Sequence, residues 1–267
     1  MGGAAVHSPR IHVIDFLLNF GLGASLGIAG GMLGIGGGLI AIPVLGLLYG
    51  MNQHLAQGTA LVMIAPNVAI GFWRYHQKHP VNLRAIGVAG LCSIGTAWLA
   101  ARFAVGIDAR LLHYAFALFL IALALYFGWP SRRKTGEAPP AAREVPRRLM
   151  PVIGVASGAV SGFFTIGGGM VVVPALVSLF KMPQTRAQGM ALALVVPGAF
   201  VALGTYGYSG AVNWQVGLPM ALGGVLTVSW GVHLAHTMPP RVLRVMFCSV
   251  LLGTAATMLA TSGLLTR

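Results

Sequence analysis

Acidic residues are nearly absent from this chain. Only Asp15, Asp108, Glu137 and Glu144 occur among 267 residues, and charged residues of both signs make up 8%. Glu137 and Glu144 fall in a stretch rich in Pro and Arg, Asp108 falls in a loop, and only Asp15 could reach an apolar segment. A carboxylate proton relay or a carboxylate-rich cation site therefore finds little support. Cysteine is scarce too. Cys92 and Cys248 both lie inside apolar segments, so neither a disulfide framework nor a metal site is indicated. Clusters of acids or nucleophiles that a membrane enzyme acting on lipid phosphates would need are also missing.

What the chain has instead is apolar length. Hydrophobic residues make up 57% and the mean hydropathy is +0.82, too apolar to cover a water-facing surface. The stretches 83–103, 111–129, 213–234 and 242–262 each reach the roughly 18 residues that cross a bilayer. This predicts an all-α, polytopic membrane protein with the lipid bilayer as its first partner. The net charge of +13 would suggest nucleic acid in a soluble protein. Here the basic residues sit at segment ends and in one linker, which is positive-inside topology, and no nucleic acid is expected. The N-terminal apolar stretch mimics a signal peptide but belongs to an internal repeat, so it is expected to be retained. Met1-Gly2 is followed by Val6 where a myristoylation signal wants Ser or Thr.

The repeat has an offset of 131 residues. Gly23, Gly27, Gly31, Gly36, Gly37, Gly38, Pro43, Gln57, Gly58, Pro66 and Tyr75 recur as Gly154, Gly158, Gly162, Gly167, Gly168, Gly169, Pro174, Gln188, Gly189, Pro197 and Tyr206. Roughly 27 of about 94 aligned positions match, where chance in so biased a composition gives about 9. The sequence thus divides into a first transmembrane repeat (1–129), a linker expected to be cytoplasmic (130–148) and a second repeat (149–267). Each half reads as five apolar pieces, the first two separated by a glycine break at 34–38 or 165–169.

Equivalent loops carry opposite charge bias. The loop after the first broken segment is uncharged (Met51, Asn52, Gln53), while its counterpart carries Lys181 and Arg186. The next loop reverses the pattern, with Arg74, Lys78 and Arg84 in the first half and no basic residue between Tyr206 and Asn213. Halves inserted in opposite orientations explain this, provided each broken segment enters and returns as a hairpin. Arg102 and Arg110 then remain outside, against the rule.

The breaks carry the chemistry. Three consecutive glycines (Gly36, Gly37, Gly38 and Gly167, Gly168, Gly169) favour non-helical backbone inside an apolar span, which is tolerated only where protein or a water-filled cavity surrounds it. A half-helix restarting there presents amide groups without intrahelical partners and about half a positive charge, a ready anion site. A passive kink is the plain alternative. Gln57, Asn67 and Gln188 offer amide donors, and Thr165 with Ser161 offers hydroxyls; interhelical hydrogen bonding is their alternative role. Gly23, Gly27 and Gly31, like Gly154, Gly158 and Gly162, stand at four-residue spacing and are read as close-packing faces. His54, His76, His113, His233 and His236 all fall near segment ends and are read as solvated or interfacial.

The paired Gly-Gly-Gly-x-x-x-x-Pro elements (Gly36 to Pro43, Gly167 to Pro174), each followed by Gln-Gly (Gln57-Gly58, Gln188-Gly189), resemble the sulfite exporter TauE/SafE family. The resemblance implies about eight membrane segments, a bacterial inner-membrane location and transport of sulfite, sulfoacetate or related organosulfur anions. The expected function is thus a transporter of a small anionic substrate, running outward and needing no cofactor. An anion channel and the lipid-phosphate enzyme are the alternatives. A second copy of the chain is a candidate partner, as a homodimer.

Overall fold

The computed structural model describes residues 9–33, 36–78, 83–128, 146–180, 182, 184–238 and 240–262. Within them the chain forms ten α-helices and one short 3-10 turn at Arg147–Leu149, with no strand among the described residues. The helices are α1 (Pro9–Leu33), α2 (Gly38–Tyr49), α3 (Gln53–Lys78), α4 (Leu83–Gly106), α5 (Ala109–Gly128), α6 (Met150–Phe164), α7 (Gly169–Phe180), α8 (Gln184–Tyr208), α9 (Trp214–Thr237) and α10 (Pro240–Ser262). Gly34, Ile35, Asn82, Lys181 and linker residues 130–145 lie outside the described residues.

Six of these helices are long and apolar enough to cross a membrane: α1, α3, α4, α5, α8 and α9. Their outward faces carry Leu17, Leu18, Leu91, Leu99, Phe103, Leu118 and Leu125, all exposed, as side chains solvated by lipid are. Exposed Trp73 and Tyr208 lie near helix ends, where amphipathic rings meet the headgroup layer.

Both predicted breaks are present, one residue shorter than the sequence suggested. Gly38 and Gly169 are already the first residues of α2 and α7, because only the residues before them need backbone that a helix cannot supply. Gly37 has φ +88° and Gly167 has φ +88°, left-handed values that a Cβ strains. Helix α3 runs past the exposed Trp73 to Lys78. Arg74, Tyr75, His76 and Gln77 include no breaker, so the helix continues past the apolar stretch.

The first break reverses the chain. A Cβ on Gly37 would lie 2.8 Å from the Leu26 carbonyl oxygen, two helical turns before the end of α1. Further on, the Tyr49 hydroxyl at the end of α2 donates to Asn19 Oδ1, two turns lower still. Helix α2 therefore descends beside α1 as a hairpin. In the second break Gly168 returns to Ser157 in the same way, with a Cβ 2.2 Å from the Ser157 carbonyl oxygen.

Glycine sets the tightest helix contacts. Gly23, Gly27 and Gly31 face Met220, Gly224 and Val228 in ascending order, so α1 and α9 run parallel. Gly154, Gly158 and Gly162 face Ala89, Ser93 and Ala97, so α6 and α4 run parallel too. Removing side chains at four-residue spacing lets backbones touch, which is how membrane helices associate without a hydrophobic driving force. Gly158→Val should be costly. A Cβ there would sit 2.1 Å from Thr96 Oγ1 and 2.3 Å from the Ser93 carbonyl oxygen, whereas at Gly87 nothing lies within 4 Å. We expect Gly158→Val to lower stability by about 3 kcal/mol, read as a fall in Tm in detergent, with Gly87→Val close to wild type. Equal Tm values for the two variants would contradict the close packing.

Helices α3 and α8 sit at the centre and run antiparallel. The Tyr75 hydroxyl donates to Gln188 Oε1 at 3.0 Å and the Tyr206 hydroxyl to Gln57 Oε1 at 2.8 Å, so the end of each helix meets the start of the other. Parallel contacts then give α3 the direction of α9 and α1. Helices at corresponding places in the two stretches, α3 and α8, thus point in opposite directions. On this path Arg74, Arg84, Arg186, Arg241 and Arg244 all belong to helix ends at one end of the bundle, and Arg102 and Arg110 to the other.

Candidate functional site

The two breaks meet. A Cβ on Gly38 would lie 3.6 Å from the Cα of Ile166, and residues 36–38 and 165–170 are all buried. Both lie near mid-height. Gly37 rests against Leu26, whose neighbour Gly27 touches Gly224 near the middle of α9; Gly168 rests against Ser157, whose neighbour Gly158 touches Ser93 near the middle of α4. Two half-helices of 12 residues each, α2 and α7, therefore begin in the interior of the bundle. A helix start leaves its first amides without partners within the helix and carries about half a positive charge, and these two starts are no exception.

The α2 start is held by backbone alone. Gly37 occupies the N-cap without a side-chain bond, and its carbonyl accepts from Ile40 and Ala41 amides at 3.3 and 3.1 Å. The Gly168 carbonyl does the same for Val171 and Val172 at 3.2 and 3.0 Å. Pro66 and Pro197 lie within α3 and α8 beside these starts, and each removes one amide from its helix ladder.

The polar groups around the breaks are neutral. Among the described residues, the buried polar side chains are Asn19, Gln53, Gln57, Thr59, Asn67, Ser93, Ser157, Ser161, Thr165, Gln188 and Thr254, none of them charged. Asn67 stands out because its Oδ1 and Nδ2 are both buried without a hydrogen-bond partner, against Gly224. Ser157 and Ser161 hydroxyls are likewise buried and unpartnered. Ser157 Oγ would lie 2.5 Å from a Cβ at Gly168, directly against the second break. Buried groups of this kind cost roughly 1–3 kcal/mol each when left unsatisfied, and Gln53 Nε2 and Gln57 Nε2 at the start of α3 are unpartnered as well.

The other expected residues are distributed differently. Thr165 is buried with φ +59°, and its hydroxyl donates to the Phe164 carbonyl at 2.7 Å, so it is engaged locally. Gln57 and Gln188 are each clasped by a tyrosine and are not brought together. The 18 residues of α3 from Gln57 to Tyr75 place the two clasps about 27 Å apart along the helix. They bracket the breaks, one towards each end of the bundle. Gln57 Nε2 is buried and unpartnered, free to donate.

The two ends differ. A small cavity of about 10 Å³ lies above the first break, lined by Gly36, Asn67, Val68, Gly71, Tyr75 and Leu192. It has room for about one water. The corresponding positions at the other end, Leu61, Ala202 and Tyr206, pack into a filled cluster with Ala101, Ala104 and Leu112.

Sequence reasoning missed Ser157, Tyr75 and Tyr206 as site residues. The tyrosines were legible as a repeated pair, but their bonds to the glutamines join residues 113 and 149 positions apart. Ser157 could have been found as the residue one turn before Ser161 on the same helix face. Two histidines are engaged rather than simply solvated. His113 contacts Gln53 Oε1 at 3.2 Å and the Met258 carbonyl at 3.0 Å, and His54 contacts the Ala104 carbonyl at 3.1 Å. No group of three His, Cys, Asp or Glu able to hold a metal forms among the described residues.

Comparison with known proteins agrees with this architecture. A family model described as "Sulfite exporter TauE/SafE" matches residues 19–258. A probable membrane transporter protein of Xylella fastidiosa is 32% identical over 83% of this chain and 85% of its own length. Another, from Methanocaldococcus jannaschii, is 28% identical over 91% of this chain and 92% of its own. No solved structure matches the chain. The chain belongs to the sulfite exporter TauE/SafE family and is a multi-pass membrane transporter, not an enzyme.

Proposed function

We propose that this transporter carries small organosulfur oxyanions, sulfite and sulfoacetate being the lead candidates, out of the cytoplasm across a bacterial inner membrane. The observation that supports the reading is the meeting of two half-helix N-termini at mid-depth, Gly38 against Ile166, amid buried neutral donors. The substrate lies between Gly36, Gly37, Gly38 and Gly167, Gly168, Gly169, with Asn67 and Thr165 beside it. Gln57 and Gln188 meet it on the way in and out, one at each end.

Export follows from charge. An inside-negative potential favours outward movement of one negative charge by about 2.3 kcal/mol per 100 mV. The four acids offer no coupling site: Asp15 and Asp108 are exposed, and the other two lie in the linker. The arginine-rich end of the bundle is then cytoplasmic, and the small cavity beside Tyr75 lies on that side. The antiparallel α3–α8 pair supports reading residues 1–129 and 149–267 as inverted repeats, an arrangement suited to alternating access. Assembly as a homodimer is part of the same proposal.

The test is flux in reconstituted vesicles with sulfite, thiosulfate, sulfoacetate and taurine. We expect saturable sulfite or sulfoacetate movement stimulated by substrate on the opposite side. An unsaturable current would mean a channel, and movement of none of the four would overturn the substrate class.

A further inference from the structure

Helix serines and threonines ordinarily return their hydroxyls to a carbonyl one turn earlier. In this chain Ser25, Thr96, Thr205 and Thr227 do so. Ser157 and Ser161, one turn apart on α6, do not: both hydroxyls are buried, at 0% and 1% exposure, and have no partner. Their repeat positions in α1 are Leu26 and Gly30, which have no hydroxyl. The first half instead brings Asn67, 1% exposed and unpartnered at both atoms, where the second half has Gly198. The two sides of the central site are therefore chemically different: two hydroxyls beside one break, one carboxamide beside the other.

The site also has a definite charge. No buried side chain among the described residues is ionisable as an acid or a base of the Asp, Glu, Lys or Arg kind. The positive potential comes from the starts of α2 and α7, about half a charge each, summing to about one. One negative charge is balanced by that pair. A second would remain uncompensated in a low-dielectric interior, where the desolvation penalty rises with the square of the charge.

We infer that the central site selects monovalent oxyanions over divalent ones, with Ser157, Ser161 and Asn67 as its neutral hydrogen-bond ligands. This rests on the transport reading above and narrows its substrate: of the two forms of sulfite that interconvert near neutral pH, the protein carries hydrogen sulfite. Sulfoacetate fits only when one of its two acidic groups is protonated, whereas a simple alkanesulfonate fits at any pH.

The experiment is initial-rate flux in vesicles of the purified protein, with equal pH on both sides, comparing labelled sulfite with methanesulfonate. Between about pH 6 and about pH 8.5 we expect sulfite flux at fixed subsaturating total concentration to fall at least about fivefold, following the monoanion fraction, as each pH unit above a pKa removes about tenfold of the protonated form. Methanesulfonate, always monovalent, should change less than about twofold. Sulfite flux that is flat or rises with pH, or sulfate competing as well as methanesulfonate, would overturn the selectivity. Absence of flux for every oxyanion would instead sink the transport reading on which it stands. In the same assay the double variant Ser157→Ala with Ser161→Ala should raise KM for methanesulfonate about tenfold, as expected for two lost neutral hydrogen bonds, while Tm without substrate is no lower than wild type because two unsatisfied buried hydroxyls are gone. An unchanged KM would remove the two serines from the site.

Discussion

Gly168→Leu is expected to lower transport by about a hundredfold. A Cβ at this position would lie 2.2 Å from the Ser157 carbonyl oxygen and 2.5 Å from its hydroxyl, with backbone on both sides of the contact. Neither wall can yield as the tip of a flexible side chain could. The α7 start must move away from α6, and overpacking of this kind costs about 3 kcal/mol, which corresponds to about a hundredfold in rate. Gly37→Leu should act alike for two reasons, the Leu26 carbonyl at 2.8 Å and a φ of +88° that a leucine strains. Gly95→Ala, on α4 with nothing within 4 Å, is the control and should transport as wild type. Flux of labelled sulfite in vesicles, with size-exclusion profiles to confirm folded protein, provides the check. Wild-type flux in Gly168→Leu would mean that the second break is a passive kink.

The tyrosine–glutamine clasps give the second large effect. Each is a buried hydrogen bond between α3 and α8, one toward each end of the bundle. Deleting one hydroxyl leaves a glutamine oxygen buried without that donor, a penalty of about 1–3 kcal/mol. Opening that end relieves the penalty by admitting water. Tyr75→Phe should therefore shift the protein toward opening at the arginine-rich end and Tyr206→Phe toward opening at the other, by about five- to a hundredfold in population. Labelling by a membrane-impermeant thiol reagent reads this out, after Cys92 and Cys248 are replaced. Gly71→Cys reports the cavity beside Tyr75, and Ala202→Cys reports the packed cluster beside Tyr206. Tyr75→Phe should speed the first and slow the second, and Tyr206→Phe should do the reverse. Changes in the same direction in both variants would make the clasps simple packing contacts.

Much of this was legible in the chain itself. Gly36-Gly37-Gly38 and Gly167-Gly168-Gly169 announced where the helices stop, because backbone without side chains inside an apolar span has few other uses. The four-residue glycine spacing announced faces of close approach, though not which helix each would meet. That α1 meets α9 and α6 meets α4 depends on three-dimensional exchange between the two halves, and no local pattern encodes it. Gln57 and Gln188 were legible as repeated polar residues in apolar helices. Their separation was not, because it depends on α3 and α8 running antiparallel. Ser157 was legible only as a serine one turn before Ser161; that its hydroxyl does not return to its own backbone, as helix serines ordinarily do, depends on the packing of α6 against the second break.

The central claim is that the starts of α2 and α7 together hold one anion in the middle of the membrane. The most direct measurement is a cryo-electron microscopy map of the protein in lipid with a saturating monovalent sulfonate. The anion should lie between residues 36–38 and 167–169, within about 3 Å of amides from both breaks. Density on one break alone, or at the Gln57 or Gln188 clasp with both breaks empty, would contradict the claim.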